Sequence, residues 1–244
     1  MVRALLILIA AAVAVPAWAG PPALVVAIYA KPGDRTALRR GMEGVQAAAL
    51  RSWKARGLLT GYRLLFARYP DRGGWDALEV LRFADDGALA RWRKATPEAL
   101  DPRLLALAGS VETTPVEFVR GEGAPSSDPS VLVIPYQVLI PPAEYVDYLD
   151  GYTIPQFHGW MKAGLDGFDI ATSRYPAGRP WNALITLRYR DDVALGRREE
   201  IVRTTRAALA ADPRWKAYSD AKKDVRTENL LVIADQIAAE GSGR

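Results

Sequence analysis

The chain contains itself twice. Residues 61–89 align with residues 167–195 at a constant offset of 106 with no gap, and 13 of the 29 positions are identical. The matches include Arg68/Arg174, Tyr69/Tyr175, Pro70/Pro176, Trp75/Trp181, Arg82/Arg188 and the acid pairs Asp85-Asp86/Asp191-Asp192. Further on, Asp101-Pro102-Arg103 is echoed by Asp212-Pro213-Arg214. A duplication of this length constrains the fold before any single residue does. Each copy must be one supersecondary unit, and the two must bury a common core.

Both copies read in the same order. A β-branched run opens each, at residues 24–29 and 131–140. An amphipathic helix follows, at about residues 34–56 and 143–163. Next comes a hairpin, residues 62–69 and 75–83 around Pro70-Asp71-Arg72-Gly73-Gly74, copied as 168–175 and 181–189. A second helix starts at Asp85 or Asp86, and again at Asp191 or Asp192, good N-cap residues. A last strand closes each copy, at residues 114–119 and 230–234, and a turn-rich linker at 121–128 joins them.

This is βαββαβ twice, over residues 20–122 and 129–244. Such a unit has the ferredoxin-like split βαβ pattern, with helices covering one sheet face. Two bare faces closed onto each other give an α+β fold, a barrel with its helices outside. The arrangement resembles the dimeric α/β-barrel superfamily in a tandem, single-chain form. That superfamily includes antibiotic-biosynthesis monooxygenases, stress-responsive barrel proteins and haem-binding chlorite dismutases. The resemblance spans nearly all of the chain after residue 19. It rests on topology and duplication, so function has to be argued from residues.

The first 19 residues read as an address. Met1-Val2-Arg3 gives a positive start, residues 4–15 are an unbroken apolar run, and Ala17-Trp18-Ala19 offers a cleavage site. The run is shorter than the roughly 20 residues a membrane span needs. The expectation is a bacterial periplasmic or secreted protein, free of the membrane once cleaved. Zero cysteines and one histidine exclude disulfides, thiolate metal sites and cysteine nucleophiles, and leave no His-based zinc cluster. Acid and base are interspersed, as in Arg197-Arg198-Glu199-Glu200, which reads as a solvated helix face. No basic stripe points to nucleic acid. Phosphate-loop, G-x-S-x-G and H-E-x-x-H motifs are absent. No metal is expected, and no cofactor outside the haem alternative below.

Candidate site residues come from what the copies share and where they differ. A five-residue turn would put Arg68 opposite Asp76, and Arg174 opposite Asn182, on one face with Arg82 and Arg188. Structurally these are an ion pair and its neutral replacement; functionally they are cations at a barrel mouth awaiting an anionic group. The copies differ at His158/Ser52, Glu79/Ile185 and Arg63/Asp169. Tyr145, Tyr148 and Tyr152 share one helical face, either packing on the sheet or lining a pocket. Thr153-Ile154-Pro155 reads as a helix break and restart with Thr153 as N-cap. That would put His158 near a helix start, where the dipole favours neutral imidazole.

Three functions remain open. The first is an exported small-molecule-binding barrel, or a cofactor-independent enzyme acting on an apolar or aromatic substrate. His158 or Glu79 would then be the base, with Arg68, Asp76, Arg82, Arg174, Asn182, Arg188, Tyr148 and Tyr152 binding substrate. The second is a non-enzymatic barrel that binds a partner through its outer helices. The third follows from the resemblance to chlorite dismutases, which implies haem held by His158 with Arg174 as a distal cation. The protein would be a monomer or a homodimer.

Overall fold

The computed structural model describes residues 20–96, 99–123 and 129–241; the expected leader and residues 124–128 of the linker lie outside the described residues. The first half contains β1 (Pro22–Ala30), β2 (Gly61–Ala67), β3 (Ala77–Arg82) and the long β4 (Ala108–Gly123). Its helices are α1 (Arg35–Gly41), α2 (Ala47–Ala55), α3 (Asp86–Ala95) and a single turn, α4 (Pro102–Leu105). The second half contains β5 (Ser130–Val138), β6 (Leu165–Ser173), β7 (Ala183–Tyr189), a short β8 (Arg226–Glu228) and β9 (Val232–Glu240). Its helices are α5 (Pro142–Tyr148), α6 (Ile154–Met161), α7 (Asp192–Gly196), α8 (Arg198–Leu209) and α9 (Pro213–Val225).

Eight strands close into one antiparallel ring, β1–β3–β2–β9–β5–β7–β6–β4 and back to β1. Within the halves the strand orders are β4–β1–β3–β2 and β9–β5–β7–β6, which correspond element by element. The two seams, β2 with β9 and β4 with β6, each carry a register shift. The barrel is therefore closed within a single chain. β8 extends the sheet by pairing with the far end of β5.

β1, β2, β3, β5, β6 and β7 are buried on both faces over most of their length, so they read as near-continuous apolar runs, whereas β4 and β9 are mostly half-buried. Alternate residues face the lumen, where Val25, Leu65, Leu78, Val80, Val131, Val133, Ala171 and Leu184 pack together. The opposite residues face the helices and form two further cores. One, in the first half, holds Leu38, Met42, Leu50, Leu64 and Leu81. Its counterpart holds Tyr145, Tyr148, Tyr152, Phe157, Trp160 and Phe168.

The hairpin register differs from expectation by one residue. Ala67 N–H donates to Asp76 O at 2.8 Å and Ser173 N–H to Asn182 O at 2.8 Å, so each loop has eight residues rather than five. That parity change sends Tyr62, Leu64 and Phe66 to the helix-facing side and Arg63, Leu65 and Ala67 into the lumen. Arg68 does not oppose Asp76, nor Arg174 Asn182; both arginines lie in the loops.

The expected helix break at Thr153 is also absent. α5 continues through a π-helical turn, Leu149–Thr153, into α6, and Thr153 has helical dihedrals and caps nothing. Pro155 follows in the first turn of α6, the position of a helical segment where a missing N–H is best tolerated. Residues 42–46 form the matching π-helical turn between α1 and α2. The N-caps hold as expected: Asp85 accepts from Ala88 N–H at 2.6 Å and Asp191 from Ala194 N–H at 2.7 Å. Asp101 and Asp212 cap α4 and α9 ahead of a proline in the first turn. The split of the second helix into α7 and α8, and the elements α9 and β8, were not foreseen.

Candidate ligand site

The helix–sheet layer of the second half is built from aromatic and cationic groups. The periodicity of Tyr145, Tyr148 and Tyr152 survives the π-helical turn, and all three are buried. Their rings run in a row, Tyr145–Tyr148 at 6.1 Å and Tyr148–Tyr152 at 5.1 Å, and Tyr152 stacks on Trp215 of α9 at 5.4 Å. Arg226 enters from β8 and lies 4.0 Å over the Tyr136 ring and 5.3 Å from that of Tyr148. Its Nη1 donates to Tyr145 Oη at 3.0 Å, and Tyr136 Oη donates to Glu228 at 3.2 Å. Burial pushes the hydroxyls of Tyr136 and Tyr148 well above the ordinary tyrosine range, with Arg226 opposing it.

Between this row and the sheet is a cavity of about 60 Å³, lined by Tyr136, Tyr152, Thr153, Gln156, Phe157, Trp160, Arg198, Arg206, Arg226 and Glu228, with Ile134, Ile185 and Leu187 as its apolar floor. Arg206 reaches in from α8 and donates Nε to Gln156 Oε1 at 2.9 Å. Three buried polar atoms of lining residues have no partner: Thr153 Oγ1, Trp160 Nε1 and Arg198 Nε. An unpaired buried donor costs about 1–3 kcal/mol, so three of them around one cavity are unfavourable unless something polar meets them.

The lumen carries a second polar group. Asp169, 3% exposed at its side chain, accepts from Arg63 Nη1 at 2.7 Å, from Arg82 Nη2 at 2.8 Å and from Arg188 Nη1. Burial alone would raise its pKa; the three guanidiniums outweigh that and hold it below the usual carboxylate range. Thus the structure does bring Arg82 and Arg188 together, although through Asp169 and Arg63.

No protein-family model and no curated protein matches the chain. Solved structures do. An anthrone oxidase-like protein superposes with a TM-score of 0.59 at 12% identity, over 91% of this chain and 93% of that one. A putative monooxygenase from Lactobacillus acidophilus NCFM gives 0.57 at 13% identity, over 91% and 97%. A chlorite dismutase variant from Candidatus Nitrospira defluvii gives 0.53 at 11% identity, over 89% and 92%. The fold is that of the dimeric α/β-barrel superfamily. What these proteins share with the chain is this fold.

Within the barrel, the remaining candidates are scattered. Arg68 pairs with Asp192 at 2.6 Å and Asp235 at 2.9 Å, and Arg174 pairs with Asp86. Since Arg68/Arg174 and Asp86/Asp192 are equivalent in the repeat, these are reciprocal ion pairs between the halves, and the tandem acids split into a cap and a cross-half partner. Asp76 accepts from Ala30 N–H and Arg35 Nε, both at 2.7 Å. Asn182 bridges both backbone groups of Val138. Each of these is a strut of the scaffold.

Glu79 and His158 do not meet. Glu79 faces the first helix–sheet layer, fully buried between Val26 and Leu64 on the neighbouring strands. Neither carboxylate oxygen has a partner. The nearby Gln46 amide donates to Ala99 O at 2.9 Å; burial pushes the acid up to about 8, with Gln46 opposing it in part. His158 stands on the outer side of α6, half-exposed, with Nε2 3.0 Å from the Glu122 carboxylate. Because the helix is continuous, no N-terminal dipole acts on it. It borders a groove of about 440 Å³ between α6 and α8, lined by Lys162, Arg197, Glu200 and Thr205. On the sheet side of α6, Phe157 packs against Trp160 at 4.9 Å and Phe168 at 4.8 Å. Haem does not fit these residues: the imidazole faces away from the packed layer, and its Nε2 is engaged by a carboxylate. Among the described residues, no three His, Asp or Glu side chains cluster as a metal site, and no helix is long and apolar enough to cross a membrane.

The arginines of the cavity, Arg198, Arg206 and Arg226, escaped the sequence reading. Arg198 sits in a charge run that looks like a solvated face, and Arg226 lies on a three-residue strand. The one available signal was the spacing of Tyr145, Tyr148 and Tyr152, which places three rings in the layer where this cavity lies.

Proposed function

We propose that this is an exported protein that binds a small aromatic or apolar molecule carrying an acidic group, in the helix–sheet cavity of the second half. One observation carries the reading: Thr153 Oγ1, Trp160 Nε1 and Arg198 Nε are buried, unpaired, and gathered around one cavity beside Arg206 and Arg226. Aromatic walls with a few convergent polar groups are the usual make-up of a small-molecule site. The resting cavity has room for a water or two. Its outer wall is made by Arg206, which is exposed, and Arg198, half-buried; these long side chains swing aside for a larger guest. Two proteins sharing the fold are named an anthrone oxidase-like protein and a putative monooxygenase, which supports a small-molecule class. Residues 1–19 support export. The matching strand orders of residues 20–122 and 129–244 support two ferredoxin-like units as the origin of the barrel.

Three guanidiniums beside an apolar floor favour the anionic form of a bound phenol or carboxylic acid. 4-Nitrophenol, whose anion is yellow, reads this directly. Added to the protein below its free pKa, it should bind saturably and turn yellow, and Arg226→Met should weaken binding at least tenfold. Arg206→Gln, on the exposed side, repeats the measurement without touching the buried row. No saturable binding, or binding indifferent to both substitutions, overturns the site.

A further inference from the structure

We propose that the lumen mouth lined by Arg63, Arg82 and Arg188 binds a small oxyanion of the carboxylate or phosphate type. This site is separate from the cavity of the second half and independent of it. Among the described residues, Asp169 is the one carboxylate that forms an ion pair with any of the three arginines. The group therefore carries a net charge of about two positive units inside the barrel.

A network meant only to hold the barrel together would not be left in this state. Positions 63 and 169 are equivalent in the repeat, as are 82 and 188. An aspartate at both 63 and 169 would balance the two shared arginines; this chain has kept one aspartate and placed a third arginine opposite it. Buried charge without a counter-charge is strongly unfavourable. Burial and mutual repulsion show in Arg82 and Arg188, whose pKa values are pulled below the ordinary arginine value despite Asp169.

The donors are also under-used. Asp169 and the Glu122 carbonyl are the acceptors recorded for these guanidiniums, while Arg63 Nε and Arg188 Nε are buried without a partner. Nor is the group sealed. The side chains of Arg63 and Arg82 remain 13% and 17% exposed, so an ion from solvent can reach them. Arg82 is fixed face-on over Phe118 at 3.6 Å, and Arg188 lies across Gly167, where a Cβ would come within 2.3 Å of its Nη2. Planar guanidiniums held in place with unused donors offer the fork geometry that carboxylate and phosphate oxygens require.

Thermal unfolding of the folded chain, titrated with inorganic phosphate, with acetate, and with chloride at matched ionic strength, tests the site. Phosphate or acetate should raise the melting temperature saturably beyond chloride, and which of them does so identifies the oxyanion. Arg63→Gln should weaken that response at least tenfold, and Arg63→Asp, which balances the cluster, should abolish it. Arg82→Gln provides a second variant should position 63 prove intolerant. A 4-nitrophenol titration of the same variants should be unchanged, which separates failure here from failure of the other cavity. If phosphate and acetate act no more strongly than chloride, or if Arg63→Gln responds like the parent, the proposal is overturned.

Discussion

The two helix–sheet layers of this barrel have the same parts and opposite interiors. Each is a long helix interrupted by a π-helical turn, lying on the outer face of four antiparallel strands. Beneath the first lie aliphatic side chains together with Trp53, Tyr62, Phe66, Phe83 and Trp92, and they enclose a single acid, Glu79, with no ion-pair partner. Beneath the second lie a row of tyrosines, Arg226 and a cavity. The same scaffold geometry therefore holds two different interiors. They differ through a few side chains: Ile185 stands where the first half has Glu79, and Tyr145, Tyr148 and Tyr152 stand where the repeat has Arg39, Met42 and Gln46.

The largest expected effect is where the halves meet in the lumen. Asp169→Asn should cost about 3–5 kcal/mol in urea unfolding, because it leaves three guanidiniums with no counter-charge. A loss well under that range would mean the three arginines do not depend on Asp169, and the two lumen positions would no longer be opposites.

Next is Glu79→Ile, which gives the first half the residue of the second. The folded protein keeps this carboxyl protonated up to about 8, whereas the unfolded chain releases the proton near 4.5. The native state then binds more protons, so stability falls as pH rises between those values. Glu79→Ile should flatten that slope and gain roughly 4 kcal/mol at pH 8, with little change at pH 4.5. An unchanged pH profile would show that Glu79 finds a partner in solution and that the first layer is less closed than it looks.

The smallest effect belongs to Tyr148→Phe. Its buried hydroxyl has no partner, so removing it should be neutral or stabilise by about 1 kcal/mol in calorimetry. A clear loss instead would mean the hydroxyl is already bonded, and the second layer would resemble the first.

How much of this could be read from the chain follows from how its strands are buried. The repeat gave strand order, hairpins and the caps at Asp85 and Asp191, because those signals are local or repeated. Register was lost because β2 and β3 are buried on both faces, so Leu64-Leu65-Phe66 shows no alternation and only the loop length could set the parity. His158 drew attention as the one histidine, and its place on the outer side of α6 came from the unbroken helix, which hid behind Pro155. Comparing the copies did better: Glu79 and the pair Arg63/Asp169 stood out as differences, and each occupies a position that matters. Arg206 and Arg226 were illegible because the end of α8 and all of β8 have no counterpart in the first copy, and Arg198 because it stands in a charge run where that copy has Trp92 of α3.

Closure within one chain has a consequence for what such a barrel can become. In a homodimer the two-fold axis forces every substitution to appear twice, so the facing positions 63 and 169 would be two arginines or two aspartates. A barrel closed within one chain is free of that constraint. Here an arginine faces an aspartate between the halves at 2.7 Å, a pairing that two identical subunits could not make at these positions.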